Sequence, residues 1–140
     1  MHTAGPIPCI GLKGFLATVL SEVSFGSDQQ CPLKETINCY FTLDHQQRVN
    51  GKVLNYDQFV DHIRHLRTHV ASGRIEIVEA LREGNRITDR HRVHITKSDG
   101  SAIQLEVFLF GELTADGRIC RMDEVSRVIV GTTSDANLGF

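Results

Sequence analysis

The fold is decided by residues 75–130, whose sequence is IEIVEALREGNRITDRHRVHITKSDGSAIQLEVFLFGELTADGRICRMDEVSRVIV. Apolar and polar residues alternate through most of this stretch, and such alternation is typical of β-strands with two different faces. Turn sequences interrupt the alternation: EGN at 83–85, SDGS at 98–101 and ADG at 115–117. They predict four strands joined as an antiparallel meander, over 75–82, 87–96, 103–113 and 119–130.

The residues that precede the meander have mostly helical periodicity. Apolar side chains recur at steps of three and four, and they predict a helix over 12–25 and a second helix that begins near Pro32 and includes Phe41. A short strand is expected near 46–49. Residues 1–11 contain two prolines and two glycines with little periodicity, and they predict an irregular arm.

A third helix has the clearest boundaries in the sequence. Asn55 is a good N-cap, and Gln58 follows it at the spacing of a capping box. Apolar residues then recur on one face, and Gly73 is of the residue type that suits the left-handed end of a helix. These signals predict a helix over 56–72.

Helices followed by an antiparallel meander are typical of the α+β class. We therefore expect an α+β cone, in which N-terminal helices pack in the concave face of a curved, mostly antiparallel sheet and leave a cavity. A length of 140 residues fits one domain. This domain is expected over 12–130, followed by an aperiodic tail over 131–140.

Composition and charge disfavour several classes of function. A net charge of −2 argues against nucleic-acid binding, which needs a basic surface. No apolar run approaches the roughly 20 residues of a membrane-spanning helix, and the N-terminus lacks the pattern of a secretory signal. The four cysteines have no metal-binding or paired spacing, and glycine-rich phosphate loops are missing. We therefore expect a cytoplasmic protein with free thiols and with neither metal nor cofactor.

The turn EGNRI (83–87), the sequence DGRI (116–119) before a long strand, and the order of elements resemble the SnoaL-like, or nuclear transport factor 2-like, superfamily. The similarity runs from about Pro32 to Ile129. It implies a cone-shaped fold around a pocket. The superfamily includes nuclear transport factor 2, ketosteroid isomerase, limonene epoxide hydrolase and small polyketide cyclases, so the resemblance implies a fold and leaves the function open.

Two members of this superfamily suggest site residues by position. In limonene epoxide hydrolase an arginine and an aspartate lie on the strand after the EGNRI-like turn, and a second aspartate lies on the last strand. These positions correspond here to His91, Val93 and Glu124. The sequence keeps one carboxyl group and a basic ring but departs from the full triad, which argues against epoxide hydrolysis by that route. Tyr40 corresponds in place to the helix tyrosine of ketosteroid isomerase.

Alternation along the strands assigns candidate pocket residues without any family. Two strands of the meander each have one face that mixes apolar and ionisable side chains: Ile87, Asp89, His91, Val93 and Ile95 on one, and Cys120, Met122, Glu124, Ser126 and Val128 on the other. On the short early strand, Gln47 shares a face with His45. We predict Asp89, His91 and Glu124 as catalytic residues, and Gln47, Tyr40, Val93 and Met122 as ligand-binding residues.

The predicted cluster suits acid–base chemistry. A carboxyl group in an apolar cavity has a raised pKa, and a nearby imidazole titrates close to neutrality. Together they can move a proton to or from a bound carbonyl or enol, so we expect a small apolar or carbonyl-bearing ligand and an isomerase, cyclase or hydrolase. The alternative is a buried ion pair that only satisfies its own hydrogen bonds, within a non-enzymatic ligand-binding or interaction module.

Two further features leave alternatives open. His62, His65 and His69 line one flank of the third helix, as a solvated or interface stripe or, less well, as metal ligands. The strand over 103–113 is apolar on both faces, so alternation does not decide which face lines the pocket. Packing of its outer face on a second subunit predicts a homodimer.

Overall fold

A computed structural model describes residues 7–132 (only the backbone for 7–10), Asp135 and Leu138. This part of the chain forms the elements α1 Ile7–Phe25, α2 Leu33–Tyr40, β1 Phe41–Val49, β2 Lys52–Leu54, α3 Tyr56–His69, β3 Val70–Glu83, β4 Arg86–Lys97, β5 Ala102–Leu113 and β6 Ile119–Val130. Among these described helices, none has the combination of length and apolar character that crossing a membrane requires.

The strands form one curved sheet. Their order is β2-β1-β6-β5-β4-β3, and every neighbouring pair is antiparallel except β1 and β6, which run parallel. Pairing is irregular between Ile77 and Glu79 of β3 and near both ends of β5, and such bulges bend a sheet. The helices pack on one side, with α1 against β3 and α3 against β1. The predicted four-strand meander and the predicted α+β cone are both confirmed.

Apolar side chains of the helices fill much of the cone. In α1 the inward side chains are at most 1% exposed: Phe15, Leu16, Val19, Leu20 and Val23. They form one cluster with the inner face of α3 and with Ile87, Leu109 and Met122 of the sheet. Burial of each such side chain contributes about 1.5–3 kcal/mol before the entropy of ordering it is subtracted. This packing sets the distance between helices and sheet, and so the room that remains for polar groups.

The end of α3 differs from the prediction. The helix ends at His69 and β3 begins at Val70 without a loop, so the predicted helix end at residue 72 is wrong. Gly73 lies inside β3 and is not among the glycines with positive φ. A Cβ atom at this position would lie 2.4 Å from the ring of Phe25. The glycine is therefore required by the close approach of α1 to β3, not by a helix end.

Two other boundaries differ as well. The first helix begins at Ile7 and breaks at Gly11 (φ 74°, ψ 166°), so the predicted irregular arm is wrong for residues 7–10. Residues 1–6 lie outside the described part of the chain. Phe41, predicted as helical, begins β1 because its side chain takes a fully buried position, in ring contact with Phe59 of α3.

The second strand is an addition to the prediction. Asn50 and Gly51 form a two-residue turn with φ of 50° and 87°, and pair β1 with β2 as a hairpin. In the predicted tail, the Asp135 carboxylate accepts a hydrogen bond from the backbone N–H of Thr132 at 2.9 Å. Leu138 packs against the apolar residues at the end of the sheet. Other residues after 132 are not described.

The two apolar faces of β5 separate clearly in the structure. Leu105, Val107 and Leu109 point into the cone and are 0% exposed. Phe108 and Phe110 point outward and are 45% and 63% exposed. The inner face of the sheet is therefore the one that continues from Leu109 to its register partners on β4 and β6, Asp89 and Glu124.

Candidate active site

Polar side chains from three strands converge on the inner face of the sheet and form what we call the polar cluster: His45 and Gln47 of β1, Asp89 and His91 of β4, and Glu124 of β6. Each is at most 5% exposed. Alternation places them there, because every second residue along β4 is buried, as predicted. Leu109 separates Asp89 from Glu124 in the register, so their backbones are about 10 Å apart and their side chains project in the same direction.

Asp89 and His91 form a buried pair on one strand. The Nδ1–H group of His91 donates to the carboxylate of Asp89, with 2.9 Å to Oδ1 and 3.0 Å to Oδ2. Because a carboxylate only accepts, Nδ1 carries a proton, and in the neutral ring the lone pair therefore lies on Nε2. The carboxylate of Asp89 therefore fixes the orientation of the His91 ring, as in a general base that a carboxylate positions.

His45, Gln47 and Glu124 form a chain of hydrogen bonds. The Nε2–H group of His45 donates to Gln47 Oε1 at 2.7 Å, and Gln47 Nε2 donates to Glu124 Oε1 at 2.5 Å. The His45 ring also packs against Phe41 and Phe59, with centroid distances of 4.6 and 4.9 Å. Burial lowers the pKa of His45 to about 4 despite the opposing bond to Gln47, so this ring is neutral at pH 7.

Glu124 has a strongly raised pKa. Burial, and secondly the carboxylate of Asp89, raise the pKa of Glu124 well above its usual range, and the hydrogen bond from Gln47 only partly opposes them. The other carboxyl oxygen, Oε2, is buried and has no hydrogen-bond partner among the described residues. A protonated Glu124 can thus direct an O–H group toward a ligand.

The polar cluster combines an acid and a base. Glu124 is held in its protonated form, while the Asp89–His91 pair presents a lone pair two strands away. A carboxyl group with a raised pKa near an imidazole that a carboxylate orients is a usual arrangement for general acid–base catalysis. The arrangement can protonate a carbonyl oxygen and remove a proton from carbon on the same molecule.

The other predicted site residues have different positions. Met122 is fully buried on the inner face of β6 and is the register partner of Gln47. Val93 is buried two residues beyond His91, in the apolar cluster that also contacts Leu138. Tyr40 does not join the polar cluster, because its hydroxyl donates to Glu22 of α1 at 3.0 Å and the following residue takes the inner position.

A cavity of about 270 Å³ adjoins the polar cluster at Val49, the register partner of Glu124, although no member of the cluster is among its described lining. Its walls come from β1, β2, α3 and the C-terminal segment: Val49, Lys52, Leu54, His62, His65, Leu66 and Leu138. Val49 is the register partner of Glu124 across the parallel β1–β6 pair, and the Asn50 N–H donates to the Glu124 backbone carbonyl at 2.9 Å. The cavity wall is therefore continuous with the strand that carries the acid.

His45 was predicted to share a strand face with Gln47 but was not among the predicted site residues. The available signal was the two-residue spacing to Gln47, which puts both side chains on one side of a strand. The lining of the cavity had no such signal, since it depends on the unpredicted β2.

The three histidines of α3 do not converge on a common metal site. The rings of His65 and His69 lie 4.2 Å apart, and His69 Nδ1 is 2.8 Å from the backbone carbonyl of His65. His62 and His65 both line the cavity. Within residues 7–132, 135 and 138, no group of three or more histidine, cysteine or acidic side chains is placed to hold a metal ion.

Comparisons with known proteins agree with the fold. No family model matches the sequence. The uncharacterized protein C11D3.04c of Schizosaccharomyces pombe is 32% identical over 105 residues, which are 75% of this chain and 80% of that protein.

Solved structures share the fold at low sequence identity. An NTF2-like protein of unknown function from Exiguobacterium sp. 255-15 matches with a TM-score of 0.65 and 17% identity, covering 79% of this chain and 93% of its own. A Jannaschia sp. CCS1 protein assigned as a SnoaL-like polyketide cyclase matches with a TM-score of 0.62 and 12% identity, covering 89% and 92%. The chain therefore has the fold of the NTF2-like and SnoaL-like proteins, and it belongs to one family with the Schizosaccharomyces pombe protein.

Proposed function

We propose that the protein binds a small apolar or carbonyl-bearing molecule in its cone and transfers protons on it. The observation that carries this proposal is the contrast within the polar cluster, where Glu124 keeps a proton and Asp89 orients His91 as a base. Isomerases, cyclases and some hydrolases of carbonyl compounds need such a pair. The step requires neither metal nor organic cofactor, because the side chains supply both the proton donor and the acceptor.

The proposed reaction begins at the carbonyl group of the ligand. Its oxygen accepts a hydrogen bond from the carboxyl group of Glu124, while Nε2 of His91 removes a proton from the adjacent carbon. The electron pair of that C–H bond becomes the double bond of an enol, and the proton of Glu124 passes to the oxygen. Asp89 stabilises the imidazolium that forms. Return of a proton at another carbon gives isomerisation, and attack of the enol carbon on a second carbonyl gives cyclisation.

The test follows enolisation directly and needs no knowledge of the natural ligand. Exchange of the α-hydrogens of 2-tetralone and cyclohexanone with D2O is measured by proton NMR. We expect the wild-type protein to accelerate exchange over buffer. Glu124→Gln and His91→Gln should each lower that acceleration at least about 100-fold, because each removes one partner of the proton transfer.

Asp123→Asn is the matched control for this experiment. Asp123 neighbours Glu124 on β6, but it pairs in register with the outward-facing Phe110, so its side chain lies on the other face of the sheet. This variant should retain most of the wild-type exchange, because the charge of Asp123 is the smallest of the causes that raise the pKa of Glu124. No acceleration by the wild-type protein, or equal acceleration by Glu124→Gln, would contradict the proposed chemistry.

A non-enzymatic module is the second candidate. The observation that favours it is burial: His91 and Glu124 are each 1% exposed, as in structural polar networks that only complete their own hydrogen bonds. Under this alternative the cone serves as a ligand carrier or as a scaffold for its outer face. The exchange measurement separates the two, since a carrier binds a ketone without exchanging its α-hydrogens.

We also propose that the protein forms a homodimer through the outer face of the sheet. Apolar side chains there are largely exposed: Leu81, Phe108, Phe110 and Val125. Phe108 is the register partner of both Arg90 and Val125, so apolar and charged residues are mixed on this face. An exposed apolar patch with a polar rim is typical of subunit interfaces.

A further inference from the structure

The cavity beside the polar cluster has two kinds of wall. Apolar side chains come from three directions: Val49, Leu54, Leu66 and Leu138. The remaining wall consists of Lys52 from β2 and His62 and His65 from α3, and none of the described acidic side chains lines it. A concave apolar site with a few polar groups on one side is the usual form of a small-molecule site.

One of the basic side chains of this wall, His62, has an unsatisfied polar atom. Its Nε2 atom is buried without a hydrogen-bond partner among the described residues, although buried polar atoms nearly always have one. Burial lowers the pKa of His62, and the nearby charges of His65 and Lys52 lower it further. A negatively charged group at this wall would satisfy Nε2 and relieve the repulsion among the three basic side chains.

We infer that this cavity binds a small organic acid, with its carboxylate at Lys52, His62 and His65 and its apolar body along Val49, Leu54, Leu66 and Leu138. This anion site rests on the proposed function, because it names the class of molecule that would be bound next to the strand that carries Glu124. The acid at position 124 does not repel such a ligand, since it carries its proton. A volume of about 270 Å³ suits a molecule near the lower size limit of typical ligands.

Isothermal titration with octanoate and octanamide tests this inference. The two probes have the same apolar chain and differ in the charge of the head group. We expect octanoate to bind one site per chain about tenfold more tightly than octanamide. Lys52→Gln and His62→Gln should each weaken octanoate binding about fivefold, as expected for a partly exposed charge pair and a buried donor. Neither variant should change octanamide binding more than about twofold.

Lys34→Gln is the matched control, because it removes the same charge from an exposed position on α2. It should bind both probes like the wild-type protein. Equal affinity for octanoate and octanamide, no saturable octanoate binding, or equal effects of Lys52→Gln and Lys34→Gln would each overturn the anion site. Circular dichroism shows whether each variant is folded.

His91→Gln distinguishes failure of this inference from failure of the proposed function. This variant should lose α-hydrogen exchange but keep wild-type octanoate binding, since His91 does not line the cavity. Octanoate binding that follows charge at Lys52, without any exchange activity, supports the anion site and rejects the chemistry. Exchange activity without charge-dependent octanoate binding rejects the anion site alone.

Discussion

Glu124 favours its protonated form because the folded protein stabilises the negative charge of its carboxylate poorly. Burial removes the carboxyl group from water, and the carboxylate of Asp89 repels a second negative charge; the hydrogen bond from Gln47 does not compensate. A carboxyl group of this kind makes stability depend on pH. Between the ordinary pKa of 4.5 and the raised folded value, the folded state binds more protons than the unfolded state, so stability falls as pH rises.

Glu124→Gln should remove this dependence. Glutamine is neutral at every pH, and its amide oxygen can still accept the hydrogen bond from Gln47. The free energy of unfolding of the variant, relative to wild type, should increase above pH 4.5 by up to ~1.4 kcal/mol per pH unit until the folded pKa is reached. Urea unfolding followed by circular dichroism from pH 4.5 to 7.5 measures it. The same variant should be inactive in exchange, a gain of stability with a loss of function.

His45 contributes a pH dependence of the opposite sign, which has to be separated from that of Glu124. Its pKa is lowered from 6.5 to about 4, so the unfolded state binds more protons between these values and stability rises with pH there. That contribution is common to both proteins and cancels in their difference. A difference between Glu124→Gln and wild type that stays flat from pH 4.5 to 7.5 would show that the folded carboxyl group is ionised.

At the residue scale, the sequence predicted the faces but not the partners. Alternation alone placed Asp89, His91, Glu124 and Gln47 inside, because a side chain's face depends only on its neighbours along one strand. The bond from Gln47 to Glu124 joins residues 77 positions apart. It depends on the parallel pairing of β1 with β6, which local periodicity does not encode.

At the element scale, the junction of α3 and β3 shows why one glycine was misinterpreted. A glycine after an apolar helical stretch usually ends the helix in the left-handed region. Here the chain passes directly from His69 into the strand, and Gly73 makes room for Phe25 of α1. The capping box of Asn55 and Gln58 was predicted correctly, because both of its hydrogen bonds lie within four residues.

Gly73→Ala should destabilise the protein by about 1–3 kcal/mol, since its Cβ atom would overlap the Phe25 ring. Combination with Phe25→Leu should restore part of this loss, because the smaller side chain vacates the overlap. The coupling free energy from the double-mutant cycle, measured by urea unfolding, should therefore favour the double variant by about 1 kcal/mol.

Ser72→Ala is the control for the cycle. Ser72 is exposed at the neighbouring position of β3, so its replacement should change the free energy of unfolding by less than about 0.5 kcal/mol. If Gly73→Ala costs no more than Ser72→Ala, or if the two effects of the cycle simply add, close packing of α1 on β3 is not the reason for this glycine.

At the scale of the whole molecule, the two faces of the sheet carry different kinds of side chain. The concave face holds the polar cluster, and the convex face carries exposed Phe108 and Phe110 between ion pairs, such as Arg127 Nε to Glu106 Oε1 at 2.7 Å. The sequence did not decide between the faces of β5, because both are apolar. The distinction arises only when the helices cover one of them, and it leaves the other face exposed.

Phe110→Glu should convert the proposed homodimer to a monomer. Phe110 is 63% exposed in the single chain, so the substitution should not disturb folding, but a carboxylate buried between two subunits would lack a partner. Sedimentation equilibrium at about 10 µM should give twice the chain mass of 15.6 kDa for wild type and a single chain mass for the variant. Val53→Glu, at a residue 54% exposed on the edge strand β2, should remain dimeric. A wild-type protein with the mass of one chain, or a dimeric Phe110→Glu variant, would remove the outer face of β5 as the interface.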